Sequence, residues 1–466
     1  MAPSSDSSAQ PANALHPIFS RIPFLARLFS RGRDSRIALT GLANGLSTGI
    51  AALTGLASIG IAVPYLGPEQ YGLWVSALSW IQLLGIADLG IGNSLVNELA
   101  QSYAADDKDR AGEAVSTSLF LTSAAGLLVL VLTLLVLALL QAAGHGLAYG
   151  PGNSAWSLTI VILVATAIDL PLGTPGRVYL AVQEGYLNAL WTILGSLLGL
   201  AGVYAGIHLR LPLPYVAGGA LFGRAAAKAG SFVAVLVTKP WLRPRISGVS
   251  RRCTKQLLGL GIWYFAANIG FMLESQILYL VGPTVIGLAA VGEAAIVHRV
   301  YATVLAIPML FLAPLWPAYA EALHRNDHAW VRSTLAHARW LGAISTVVAV
   351  GGVTLAGPTG LRWWLHGKIM PSRLLLASGG LWLAMRLWRE VHTTLLSGAG
   401  RLRGQGTYGV VSAGLQAILA SVFGRAYGAP GVFLGWFLGF ALISGILLVW
   451  ECHLLPQVRR LAPDAT

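Results

Sequence analysis

Along most of this chain apolar and polar positions do not alternate. They fall into apolar blocks of about twenty residues, the length a helix needs to cross the hydrocarbon of a bilayer. Read from Gly, Pro and the short charged stretches that separate them, the blocks predict twelve helices, at 37–63, 71–97, 115–140, 156–182, 186–206, 215–237, 257–281, 294–318, 340–357, 374–397, 407–424 and 429–452. Residues 1–16, rich in Ser, Pro and Ala, predict disorder. The next stretch, "PIFSRIPFLARLFSRGRDSR", sets Ile18, Ile22, Leu25 and Phe29 at helical spacing with Arg21, Arg27 and Arg31 between them. It predicts a basic amphipathic stem lying on the inner membrane surface, not a cleavable signal. Residues 1–36 are thus a tail, 37–237 a first six-helix lobe, 238–256 a basic linker, 257–452 a second six-helix lobe and 453–466 a closing tail.

Composition supports an all-α integral membrane protein. Hydrophobic residues make up 55% of the chain and charged residues 11%; mean hydropathy is +0.68. The net charge of +13 would suit nucleic acid, but its placement does not. With the N-terminus inside, 21 Lys+Arg fall in inner segments, 5 in outer loops and 5 within helices. That asymmetry puts both termini in the cytoplasm. The two cysteines, Cys253 and Cys452, stand at helix ends and have no metal-ligand spacing around them. No CxxC, HExxH, GxSxG or Walker-type loop stands out, so the sequence offers no soluble-enzyme chemistry.

The halves repeat. "LGPEQYGLW" after the first helix and "VGPTVIGLA" after the seventh share Gly-Pro-x-x-x-Gly-Leu, at Gly67 to Leu73 and Gly282 to Leu288, 215 residues apart. Gly-Pro predicts a tight turn that stops one helix and starts the next. Duplicated halves with a site between them are the build of many secondary transporters.

The stretch "YLGPEQYGLW…LLGIADLGIGNSLVNELA" (65–100) resembles the second-helix region of polysaccharide (O-antigen and exopolysaccharide) flippases of the MOP (MATE-like) superfamily. "PLWPAYAEALHRNDHAWVRSTLAHARW" (314–340) resembles the exit of their eighth helix and the loop after it. The resemblance spans about 37 to 452. It implies a transporter of the bacterial cytoplasmic (inner) membrane that moves polyprenyl-diphosphate-linked oligosaccharide from the inner to the outer leaflet. Two six-helix lobes would alternate access around a cationic cavity. It implies no cofactor beyond a coupling proton or sodium ion. The implied partners are the lipid bilayer, the lipid-linked glycan, and a glycan polymerase or chain-length machinery. A drug or metabolite antiporter of the same fold is the rival, and its cavity should be acidic. A membrane-embedded glycosyltransferase or polymerase would need a long catalytic outer loop; 141–155 and 358–373 are short and lack paired acids.

Ionisable groups at bilayer depth are costly, so they usually face protein or a watery cavity. In the sixth helix Arg224 and Lys228 lie four apart, on one face shared with Ala217, Ala220, Leu221 and Ser231. Arg224 is nine residues from Tyr215, so ~14 Å deep. Small neighbours leave room for an anion, and the resemblance makes that anion a diphosphate; pairing with carboxylates of other helices is the bland alternative. The tenth helix carries Arg386, Arg389, Glu390 and His392; Arg386 either pairs with Glu390 at i, i+4 or faces the cavity. In the eighth, His298 and Arg299 are placed about five residues from the outer end, snorkelling or contacting an exiting anion. Asp169, ~20 Å into the fourth helix, and Glu274, in the seventh, are candidates for countering a cavity arginine or coupling an ion. Asp88 is ~25 Å along the second helix from Tyr71. With Gly90, Gly92, Asn93 and Asn97 after it, Asp88 is read as accepting backbone hydrogen bonds at the helix exit, or as a gate contact. Most of the 15 Trp residues, Trp74 among them, fall near predicted helix ends and suit an interface belt. Trp263 and Trp388 are left as the candidates for stacking on sugar.

Overall fold

The computed structural model describes residues 33–84, 88, 90–142, 153–312, 315–399 and 403–453. Every regular element among them is helical. The amphipathic stem predicted for 17–36 lies almost wholly outside the described residues. The first half runs α1 (Arg33–Leu84), α2 (Ile91–Ala104), α3 (Lys108–Ala142), α4 (Asn153–Leu172), α5 (Thr174–Ala181), α6 (Gly185–His208) and α7 (Leu213–Thr238). The second runs α8 (Arg251–Ser275), α9 (Ile277–Val285), α10 (Leu288–Leu312), α11 (Leu315–His324), α12 (His328–Trp364), α13 (Arg373–Gly398), α14 (Arg403–Phe440) and α15 (Ile446–His453). A π-turn, Ala441–Gly445, joins the last two.

Among the described residues eight helical stretches are long and apolar enough to cross a membrane. Two of them are double. At 52 residues α1 would reach ~78 Å if straight, more than twice the hydrocarbon thickness. It turns back at Gly67, whose φ of 78° suits glycine, and Pro68 starts the next span where no amide is needed. In α14 the turn is Gly428, φ 66°, with Pro430 just beyond. Broken spans account for α1–α2, α4–α5, α8–α9, α10–α11 and α14–α15. With α8–α9 and the charge-bearing α13 the total among the described residues is twelve spans, six in each half, as the apolar blocks predict.

The repeated Gly-Pro frame does not turn at the same residue in both halves. Gly282 and Pro283 stay inside helix α9, and the left-handed residue is Gly287, φ 82°. The eighth span therefore begins at Leu288, six residues earlier than the apolar pattern suggests.

Glycine sets how closely the helices approach, as expected where lipid supplies no hydrophobic drive. Helices α6 and α7 pack over a seam in which a Cβ on Gly202 would overlap the backbone of Gly219, and the reverse. Between the lobes α1 lies along α10. Here a Cβ on Gly72 would overlap the Leu288 carbonyl and one on Gly292 the Pro68 carbonyl, so the two halves meet backbone to backbone at the Gly67 end. At the opposite end the linker between the halves is ordered, not slack. Its Arg245 amide donates to Ser116 Oγ at 3.1 Å and its Ser250 amide to Thr117 Oγ1 at 3.2 Å. Cys253 and Leu257 of α8 then pack with Ile91, Leu95, Val115 and Val178 of the first half.

Candidate functional site

The small face predicted for the sixth span is real. Ala217, Ala220 and Ser231 of α7 are buried against neighbouring helices. The α6 glycines give Arg224 its room: its Cγ and Nε lie 3.2 and 3.3 Å from where a Cβ of Gly199 would stand. Arg224 itself stays exposed, facing open space between the lobes. From the other lobe comes Arg299. It sits eleven residues into α10, ~16 Å from its start. The expectation of a residue near the membrane surface is thus corrected, because Gly287 and not Gly282 makes the turn. The Arg299 guanidinium rests in a notch at Gly55 of α1 that a Cβ would fill.

The two arginines line one cavity of about 450 Å³. Arg299 also lines adjoining cavities of about 370 and 320 Å³, and Arg224 the first of these. The other charges at this depth are paired. Lys228 reaches both Asp169 oxygens, at 2.6 and 2.7 Å. Arg386 lines the large cavity but pairs with Glu390 at 2.6 Å, one turn along its own helix. Glu274 also faces the cavity; it is buried and bound by Arg389. Among the described residues Arg224 and Arg299 make no ion pair, and they come from opposite lobes. Like charges facing one space repel unless an anion stands between them.

Asp88 lies apart from this group. Its two carboxylate oxygens accept the Gly92 amide at 3.3 Å, with Gly90 in the left-handed region, φ 72°. That is the helix-end role read from the sequence. Asn93, expected to serve freed backbone groups, instead accepts from Arg177 Nη1 at 3.0 Å.

Sequence reasoning missed an aromatic wall. Tyr71 and Trp74 from α1, Tyr279 from α9, His298 from α10, Trp382 from α13 and Trp436 from α14 all line the large cavity. His298 sits at its centre. Its ring centroid is 4.3 Å from Trp382 and 5.8 Å from both Tyr279 and Trp436. Trp74, placed in the interface belt by its position near a helix end, is only 7% exposed. The signal was local: His298 adjoins Arg299, and Trp382 stands one turn before Arg386. Of the two tryptophans singled out for sugar, Trp388 faces a lateral apolar groove with Phe437, Phe440 and Trp450, where its Nε1 donates to the Gly445 carbonyl at 3.4 Å. The Trp263 side chain lies outside the described residues. Trp340, Trp363 and Trp450 are exposed, as belt residues should be.

The comparisons with known proteins bear on the family and the fold. The model of a family described as "Polysaccharide biosynthesis protein" matches residues 40–319. No curated protein matches the chain significantly. Among solved structures, the inward-facing conformation of a multidrug resistance MATE family transporter of the MOP superfamily superposes with a TM-score of 0.69 at 17% identity, over 86% of this chain and 94% of that one. An outward-facing conformation of such a transporter gives 0.61 at 17% identity, over 91% and 96%. A MATE in the straight conformation gives 0.61 at 18% identity, over 91% and 97%. At such identities the likeness shows a shared membrane-transporter fold of two six-helix lobes.

Proposed function

The chain belongs to the polysaccharide biosynthesis protein family, and from that premise we propose that it is a flippase, carrying polyprenyl-diphosphate-linked oligosaccharide from the inner to the outer leaflet by alternating access of its two lobes. The observation that supports this reading is the charge balance of the cavity. With Lys228, Arg386 and Arg389 each paired with a carboxylate, Arg224 and Arg299 remain, among the described residues, as the two cavity cations without an ion pair. A diphosphate esterified at both ends carries two negative charges. It cannot cross hydrocarbon bare, and forked guanidinium donors suit its oxygens. Because the arginines belong to different lobes, the bound anion would hold the lobes together. A cationic drug would meet the opposite: the carboxylates here, Asp169, Glu274 and Glu390, are all paired.

The cargo is tested in cells lacking the protein. Lipid-linked repeat units should accumulate in the inner leaflet and surface glycan should disappear. Unchanged surface glycan with heightened sensitivity to cationic drugs would instead establish the antiporter.

We also place the protein in the bacterial cytoplasmic membrane, with both termini and the basic linker inside and the Gly67 end outside. Arg243, Arg245, Arg251 and Arg252 are exposed on that linker, as retention in the cytoplasm favours. The native Cys253 and Cys452 are buried, so introduced cysteines can be read cleanly. In intact cells an impermeant thiol reagent should label a cysteine replacing Glu69 and spare one replacing Gly248; the reverse pattern overturns the orientation.

A further inference from the structure

We propose that the aromatic wall of the cavity is a sugar subsite, which stacks a pyranose ring attached to the diphosphate held by Arg224 and Arg299. The proposal rests on the flippase reading and adds to it which part of the glycan is recognised and by what. Pyranose rings present an apolar C–H face and a rim of hydroxyls. The wall offers the counterpart to both. Its faces come from Tyr71, Trp74, Tyr279, His298 and Trp382, with Trp436, only 1% exposed, packed behind them, all brought together from five helices. Its residues also carry polar atoms without a partner: among the described residues the indole Nε1 of Trp74, that of Trp436 and the Nε2 of His298 are buried with no hydrogen bond, and a ligand reaches them once the rings turn toward it. The Tyr279 hydroxyl bonds His298 Nδ1 at 2.8 Å. Nε2 is a donor when Tyr279 donates and an acceptor when Nδ1 does; the two indole atoms are donors in either case. Buried donors left unpaired are costly, so a ligand rich in oxygen is what this wall lacks. A hydrocarbon would leave them unpaired, and an aromatic cation would meet the two arginines.

Position supports the same ligand. His298 directly precedes Arg299 on α10, and both line the cavity, so the wall and one of the two cations share a helix. Volume limits the match. About 450 Å³ lies at the small end of ligand pockets, room for the diphosphate and roughly one or two rings. Recognition would therefore reach the lipid-proximal sugar, with the rest of the glycan in the adjoining cavities and the open mouth.

The test uses the purified full-length protein in nanodiscs and two probes, polyprenyl diphosphate and the same lipid carrying one hexose. The wild type should bind the sugar-bearing lipid at least tenfold more tightly, on the order of one well-placed aromatic contact. Trp382→Ala should lose about tenfold on the sugar-bearing lipid and less than twofold on the bare one, with Trp382→Phe between. Thermal melting reports folding; should Trp382→Ala fail to fold, Trp74→Leu carries the same comparison from the other lobe. Equal affinity of the wild type for both lipids, or equal loss on both in the folded variants, overturns the subsite. Binding of neither lipid by the wild type would defeat the diphosphate reading itself.

Discussion

Replacing Arg224 by alanine is expected to abolish delivery of glycan to the cell surface while the protein still accumulates in the membrane. The expectation follows from what Arg224 does not touch. It makes no ion pair among the described residues, and Asp169, the acid nearest in kind, is held by Lys228 at 2.6 Å. Removing Arg224 therefore strands no buried carboxylate, and the fold should tolerate the loss. What disappears is one of the two cavity-lining cations that, among the described residues, make no ion pair. Hydrogen bonds to charged groups contribute about 1.5–3 kcal/mol each, so affinity for the diphosphate should fall by roughly 10- to 100-fold. Arg224→Lys should retain part of the transport, since charge survives while the forked geometry is lost. Lys228→Ala should do less harm: Lys228 is already paired with Asp169 at 2.6 Å and is not one of the two cations without an ion pair. Membrane protein level and surface glycan are measured together. Normal glycan in Arg224→Ala at normal protein level would take this residue out of the site.

The spans and their two lobes were legible because a bilayer dictates their length, and blocks of apolar residues record that length directly. Arg224 was legible for a related reason: an arginine amid alanines and glycines at mid-helix has few bland explanations. The partner of Lys228 was not, since Asp169 lies 59 residues away on another span and only packing brings them together. Arg299 was seen but misplaced. Two glycines in the repeated frame can each supply a left-handed turn, and sequence does not say that the first half uses Gly67 and the second Gly287. The aromatic wall was hidden most deeply. Its members are scattered from Tyr71 to Trp436, and an isolated tryptophan near a helix end reads as an interface anchor. Only convergence on one cavity separates Trp74 from Trp340.

Glu274→Gln is expected to cost the protein its stability, and transport with it. Glu274 of α8 is bound by Arg389 of α13, with side chains only 3% and 11% exposed. The same guanidinium lies 5.7 Å above the Phe440 ring of α14, so one ion pair ties three helices of the second lobe. Neutralising the acid leaves Arg389 charged in a site built to exclude water. Breaking a buried pair from one side costs about 3–5 kcal/mol, a large part of the stability of an ordinary domain. Arg389→Met should be as damaging, because it strands Glu274. The double variant Glu274→Gln/Arg389→Met should recover most of the loss, since matched neutral groups need no counter-charge. Thermal melting of the purified proteins and their membrane levels check this, and single variants as stable as the wild type would refute it. The double variant also separates the two roles open to Glu274. If it accumulates and still moves glycan, the pair only holds α8 against α13. If it accumulates and moves none, the carboxylate takes part in ion coupling, and Arg389 is the charge it must release in each cycle.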